Sequence, residues 1–197
     1  MTFNKHLDYE GKHALLSASR YHWIRYSDEK LEEFYRTQRA AERGTKLHDL
    51  AKQLIELGVK LPRTRQTLNM YVNDAIGFKL SPEVILFYSQ NAFGCADAIG
   101  FKNNFLRIHD LKTGVSPASM DQLLIYSALF CLEYHVRPES LSGCELRIYQ
   151  LDDIVSINPE AQAIRTIMEK IIHFDNQLID IQKEEGTYDV LKSRDSV

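Results

Sequence analysis

The stretch from Phe93 to Gly114 places three chemically active side chains in close succession: Asp97, Asp110 and Lys112. Phe93–Phe101 and Asn104–Lys112 read as two strands joined by a turn at Lys102-Asn103-Asn104. Strand side chains alternate faces, so Asp110 and Lys112 share one face while Leu111 points away. A hairpin that brings Asp97 near Asp110 gathers two carboxylates and one ammonium on that face. Two bare carboxylates so close repel each other and raise a pKa. A hard divalent cation relieves that repulsion, and oxygen ligands of this kind are what Mg2+ prefers. The adjacent lysine could orient or deprotonate a water, or stabilise developing negative charge. Together these groups form a kit for metal-assisted phosphodiester hydrolysis.

The elements that must position this kit are legible as a pattern. Ser17 and Ser19 sit at helix-capping positions ahead of Arg20 to Tyr26. From Asp28 a helical stretch carries acids first (Asp28, Glu29, Glu32, Glu33) and bases later (Arg36, Arg39, Arg43), an order that suits the helix dipole. Gly44 interrupts it, and Thr45 caps a second helix, Lys46 to Leu57, closed by Gly58. A further short helix is predicted from about Thr64 to Phe78. A first strand follows over Glu83–Gln90, with Asn91 as the turn into the second. Ser116-Pro117 starts a helix running to about Tyr134, Gly143–Gln150 is a fourth strand, and Asn158-Pro159 opens a C-terminal helix over about 159–183. The tail, 184–197, is polar. The prediction is a single α/β domain over 1–197, with a small mixed central sheet flanked by helices and its core in about 17–150.

Composition narrows the class. The chain has 197 residues, 44% hydrophobic and 26% charged, which suits a folded globular domain and excludes a disordered or fibrous one. The formal net charge is −3, so no bulk positive field announces a polyanionic partner, and any phosphate contact must come from a local patch. Two such patches are present: Arg36, Arg39, Arg43 with Lys46, and Lys60, Arg63 with Arg65. Either could line a nucleic-acid path or simply form a solvated face. Cys95, Cys131 and Cys144 are scattered and odd in number, which fits reduced thiols rather than a disulfide or zinc framework. The N-terminal residues lack the apolar run of a signal peptide, and no stretch of about 18 apolar residues exists to span a bilayer. A cytoplasmic protein without a membrane partner is expected.

Four short motifs in this order resemble those of the PD-(D/E)XK nuclease superfamily, in the branch that holds RecB-type nuclease domains, lambda-type exonucleases and small phage-encoded relatives. They are Gly44-Thr-Lys-Leu-His48, Gly94-Cys-Ala-Asp97, Asp110-Leu-Lys112 and Gln122-Leu-Leu-Ile-Tyr126. The resemblance covers roughly Ser17 to Gln150 and implies a restriction-endonuclease-like αβββαβ core. It implies that Asp97, Asp110, the backbone carbonyl of Leu111 and His48 bind Mg2+ or Mn2+, that Lys112 positions the attacking water, and that Gln122 and Tyr126 hold Lys112 or a DNA phosphate. Glu83 stands where some relatives carry an extra acid. Ala96 replaces the proline of the family name, a position that varies in this branch. Three misplaced cysteines cannot supply the four-cysteine cluster site of some relatives, and no phosphate-binding glycine loop of a motor is present.

The expected function is therefore a metal-dependent deoxyribonuclease, foremost an exonuclease that processes DNA ends in recombination or replication with water activated at the metal. Its partners are DNA and, by the same resemblance, a recombination or replication protein or further copies of itself. A phage-encoded relative would work in a bacterial host's cytoplasm. Two alternatives stay open: a nuclease fold kept as a non-catalytic DNA-binding or assembly module, and a structure-specific endonuclease. Taken alone, His48 is an ordinary surface or core histidine, and Tyr126 also fits a core position. His109 points to the strand face opposite Asp110. Asp74 opens a hexapeptide, Asp74–Lys79, identical to Asp97–Lys102, but lies in a helical stretch and reads as solvated.

Overall fold

The computed structural model describes residues 7–9 and 14–186. The chain packs as two compact units, Met1–Thr45 and Lys46–Val197. The first holds two 3-10 stretches, Leu7–Tyr9 and Ala18–Arg25, and the greater part of helix α1 (Asp28–Glu56). The predicted α-helix at Arg20–Tyr26 is thus a 3-10 stretch, with a kink at Arg20. Ser17 occupies the capping position, but its hydroxyl pairs with that of Ser19 at 2.7 Å and leaves the helix backbone uncapped.

The helix predicted to break at Gly44 is continuous. One glycine in a helix costs only about 1 kcal/mol, and Thr45 does not cap a new start: its hydroxyl donates back to the Ala41 carbonyl at 3.3 Å. Pairs one turn apart, Arg36 with Glu32 and Arg39 with Glu42, use two of the bases that could have formed a basic path. Gly58 ends α1 in the left-handed conformation, φ +66°, as the sequence suggests.

The second unit is an α/β domain around a five-stranded mixed sheet. Its elements are α2 (Thr67–Phe78), β1 (Ser81–Ser89), β2 (Ala92–Lys102), β3 (Phe105–Leu111), α3 (Asp121–Glu133), β4 (Gly143–Gln150), β5 (Asp153–Ile157) and α4 (Ala161–Glu184). Strand order is β1-β2-β3-β4-β5, antiparallel except for the β3–β4 pair. That parallel pair requires a crossover, which α3 supplies. One sheet face buries Leu86, Ile99, Leu106, Ile108, Leu146 and Ile148 against α3 and α4. The other packs Ala98, Leu111 and Tyr149 against α2 and the end of α1. No helix among the described residues is long and apolar enough to cross a membrane. The three cysteines are unpaired thiols.

Two elements depart from the sequence reading. Strand β5 has no counterpart in the sequence reading. Its turn is Leu151-Asp152, both at positive φ, a conformation that asparagine and glycine usually signal. The helix expected at Ser116-Pro117 begins at Asp121 instead. Gln150 explains the delay: its side-chain amide donates to the carbonyls of Gly114 at 2.7 Å and Ser116 at 2.8 Å, holding the connection open. The C-terminal helix likewise starts at Ala161, two residues past Pro159. Residues 187–197 of the polar tail lie outside the described residues.

Asp74 is also not a solvated acid. It accepts from the Tyr149 hydroxyl at 2.8 Å and from Arg147 at 3.1 Å. This pairing belongs to a polar network beneath α2, in which Glu145 bridges Arg107 at 3.2 Å and Arg147 at 3.0 Å. His109 sits fully buried within it, against Phe78 and 3.2 Å from the Tyr149 hydroxyl. Burial and the neighbouring Arg147 guanidinium push the His109 pKa down to about 3, so it is neutral.

Candidate functional site

The site forms where the β2–β3 ladder opens. Ala98 pairs with His109, so the next position sets Asp97 opposite Asp110. There the backbone pairing stops, and the Asp97 carboxylate takes over: Oδ2 accepts from the Leu111 amide at 2.8 Å. Leu111 thus contributes its N–H to the site, on the same residue whose carbonyl the resemblance assigns to the metal. Asp110 is 1% exposed and Lys112, just beyond β3, reaches it with Nζ 3.0 Å from Oδ1 and 2.8 Å from Oδ2. Oδ2 lacks an aligned hydrogen-bond donor despite that contact. The Lys112 ammonium is thus the cation that balances this buried carboxylate.

Helix α3 fixes the lysine. Nζ donates to Gln122 Oε1 at 2.7 Å, and Gln122 Nε2 donates to the Tyr126 hydroxyl at 2.9 Å. The four-residue spacing puts both side chains on one helical face. Tyr126 is also in the core, only 9% exposed, so its core and site readings hold together. Its ring closes on β2 at Gly94: a Cβ there would stand 2.9 Å from Tyr126 Cε1. The glycine of the Gly94–Asp97 motif is therefore the clearance for this ring.

From the other side, α1 brings His48 to Asp97, Nδ1 to Oδ2 being 3.5 Å, and to Glu83 at 4.0 Å. Ligand atoms of His48, Glu83 and Asp97 lie within 4.8 Å of one another, a spacing one ion could share. Glu83 sits in β1 with φ +51°, between residues that pair with β2, an unusual backbone for glutamate inside a strand. Such strain is kept where something else is gained, and here it directs the acid into the cluster.

Electrostatics agree with the crowding. Burial, then the Asp110 charge, push the Asp97 carboxyl up to about 6, although the Leu111 amide and His48 pull the other way. The buried Tyr71 of α2 feels the same field: its hydroxyl is pushed up by burial and by Asp97, Glu83 and Asp110.

The structure thus brings together His48, Asp97, Asp110, Leu111, Lys112, Gln122 and Tyr126, with Glu83 among them. Two neighbours escaped the sequence reading. Cys95 donates to Glu83 at 3.3 Å, and burial pushes its thiol up to about 11. Lys52 is close enough for its charge to act on Cys95, and its position one turn after His48 was the signal available. Comparison with protein families, with curated proteins and with solved structures returns no match. The cluster is therefore interpreted from its own side chains.

Proposed function

We propose that this chain is a divalent-metal-dependent deoxyribonuclease of the PD-(D/E)XK kind, foremost an exonuclease acting on DNA ends. One observation carries the reading: Asp97 and Asp110 face each other at the opened end of a strand pair, with Lys112 held beside them by Gln122. Lys112 pairs with Asp110, and Asp97 opposite gathers a histidine and a third acid, His48 and Glu83. The donor set of oxygens plus one imidazole suits Mg2+ or Mn2+. His48, Glu83 and Asp97, whose ligand atoms lie within 4.8 Å of one another, would hold the ion, and Asp110 opposite Asp97 would complete the set. When bound, such an ion supplies Lewis-acid polarisation of a phosphoryl oxygen and acidifies water.

The chain's own groups do the rest. Lys112 is 29% exposed, so its ammonium faces both Asp110 and the open side of the site. From there it can orient water toward a phosphorus or offset the negative charge that builds on phosphoryl oxygens. Gln122 and Tyr126 hold Nζ to one position, which confines the geometry of attack.

The test is incubation of purified protein with linear and closed circular duplex DNA and Mn2+, with EDTA and Asp110→Ala as controls. Loss of the linear DNA alone, abolished by EDTA and by Asp110→Ala, is the expected result. Nicking of the circle would turn the reading to an endonuclease. Undegraded DNA from folded, Mn2+-loaded wild type would overturn it.

A further inference from the structure

The loop between α1 and α2 presents Lys60, Arg63 and Arg65 within six residues that contain no acid. All three are exposed, and among the described residues none forms an ion pair. Exposed bases alone are ordinary. These stand on a loop that is fastened at both ends. Asn73 of α2 grips Leu61 twice, accepting from its amide at 2.9 Å and donating to its carbonyl at 3.0 Å. The buried Asn69 donates to the Pro62 carbonyl at 3.1 Å and the Thr64 hydroxyl at 2.9 Å. Pro62 adds its own stiffness. Two amide side chains are thus spent on holding a loop of three unneutralised cations, which line an open cavity of about 670 Å3. The nearest acid of that cavity, Asp74, is already committed to Arg147 and Tyr149.

Rigid, unpaired cations bind a polyanion with little ordering cost, and this is what the fastening achieves. The loop also follows the helix that carries His48. From His48 to Glu56 is eight residues of α1, about 12 Å. A DNA strand places a phosphate about every 3.4 Å along its axis, so a strand offers the loop phosphates other than the one at the acidic cluster. The chain's net charge of −3 gives no general attraction to compensate for such a site's absence.

We propose that the Lys60–Arg65 loop is a preorganised anchor for the DNA phosphate backbone, holding substrate away from the scissile bond. The proposal rests on the nuclease reading above. The test measures binding by full-length Asp110→Asn protein to a fluorescent 30-base-pair DNA (a length of about three helical turns) across a KCl series. The same measurement is made with Lys60→Ala, Arg63→Ala and Arg65→Ala combined, and separately with Asn73→Ala. The triple variant is expected to bind about 10- to 100-fold more weakly at low salt. Its log K against log [KCl] slope should shrink by about 2 to 3, near 0.9 per lost phosphate contact. Asn73→Ala keeps every charge and should weaken binding about 3- to 10-fold with the slope unchanged. Equal slopes in the triple variant and its parent, with DNA bound and cleaved normally by wild type, would overturn the anchor and leave the nuclease reading standing. Wild type that neither binds nor cleaves DNA overturns both.

Discussion

Asp74 and Asp97 open the same six residues, Asp-Ala-Ile-Gly-Phe-Lys, and the fold puts them to opposite uses. Asp74 is neutralised by Arg147 and the Tyr149 hydroxyl, whereas Asp97 faces another acid. Removing Asp74 takes one partner each from the Arg147 guanidinium and the buried Tyr149 hydroxyl, leaving them Glu145 and His109, which costs about 2 kcal/mol. Asp74→Ala should therefore lower the unfolding free energy from urea titration by that amount while DNA cleavage below the transition stays within about twofold of wild type. Asp110→Asn should do the reverse, with stability kept and cleavage lost. A loss of cleavage in folded Asp74→Ala would mean that the network beneath α2 reaches the site. The sequence allowed the Asp97 assignment because period-two alternation places Asp110 and Lys112 together and a single strand register does the rest. It did not show the partners of Asp74, because Arg147 and Tyr149 lie more than seventy residues away and no local pattern links them.

That hexapeptide is the last turns of helix α2 in one copy and the run of strand β2 in the other, so its local preference decides nothing. What decides is the flank. Lys79 adopts the left-handed conformation and ends α2, while β2 pairs with β1 over residues 92–99 and with β3 over 98–102. The same limit hid β5 behind a Leu-Asp turn and moved the start of α3, where Gln150 competes for the carbonyls. Elements with strong local marks were legible: the Asn103-Asn104 turn has both residues at positive φ, as asparagine permits. Between elements, the Gly94 clearance makes a sharp prediction. An added methyl must push the Tyr126 ring off β2, and with it Gln122 and Lys112. Gly94→Ala should fold, with cleavage reduced about 10- to 100-fold. Combining it with Tyr126→Leu, which removes the clash, should cost less than the product of the two separate losses. Strict multiplication of the two effects would show that Gly94 acts by some route other than the ring.

On the scale of the whole molecule, the acidic cluster sets a stability profile that metal should invert. The Asp97 carboxyl rises from its ordinary 3.8 to about 6 in the fold. A group raised in the folded state favours folding while it is protonated, so its contribution is full below about pH 4 and is lost as pH climbs through 6. At about 1.4 kcal/mol per pH unit the amount is at most about 3 kcal/mol. In EDTA, the unfolding free energy of wild type relative to Asp97→Asn should fall between pH 4 and 6.5 and then level off. Asparagine can still accept the Leu111 amide, so the comparison isolates the charge. Mn2+ binds only the deprotonated ligands, and at a hundredfold excess over its dissociation constant it returns about 2.7 kcal/mol at pH 7. Wild type should thus become more stable with rising pH when Mn2+ is present, and Asp97→Asn should show neither the fall nor the recovery. Parallel profiles for the two proteins in EDTA would mean that burial and the Asp110 charge do not raise the Asp97 carboxyl in solution. Recovery by Mn2+ in Asp97→Asn as large as in wild type would place the ion elsewhere than between these acids.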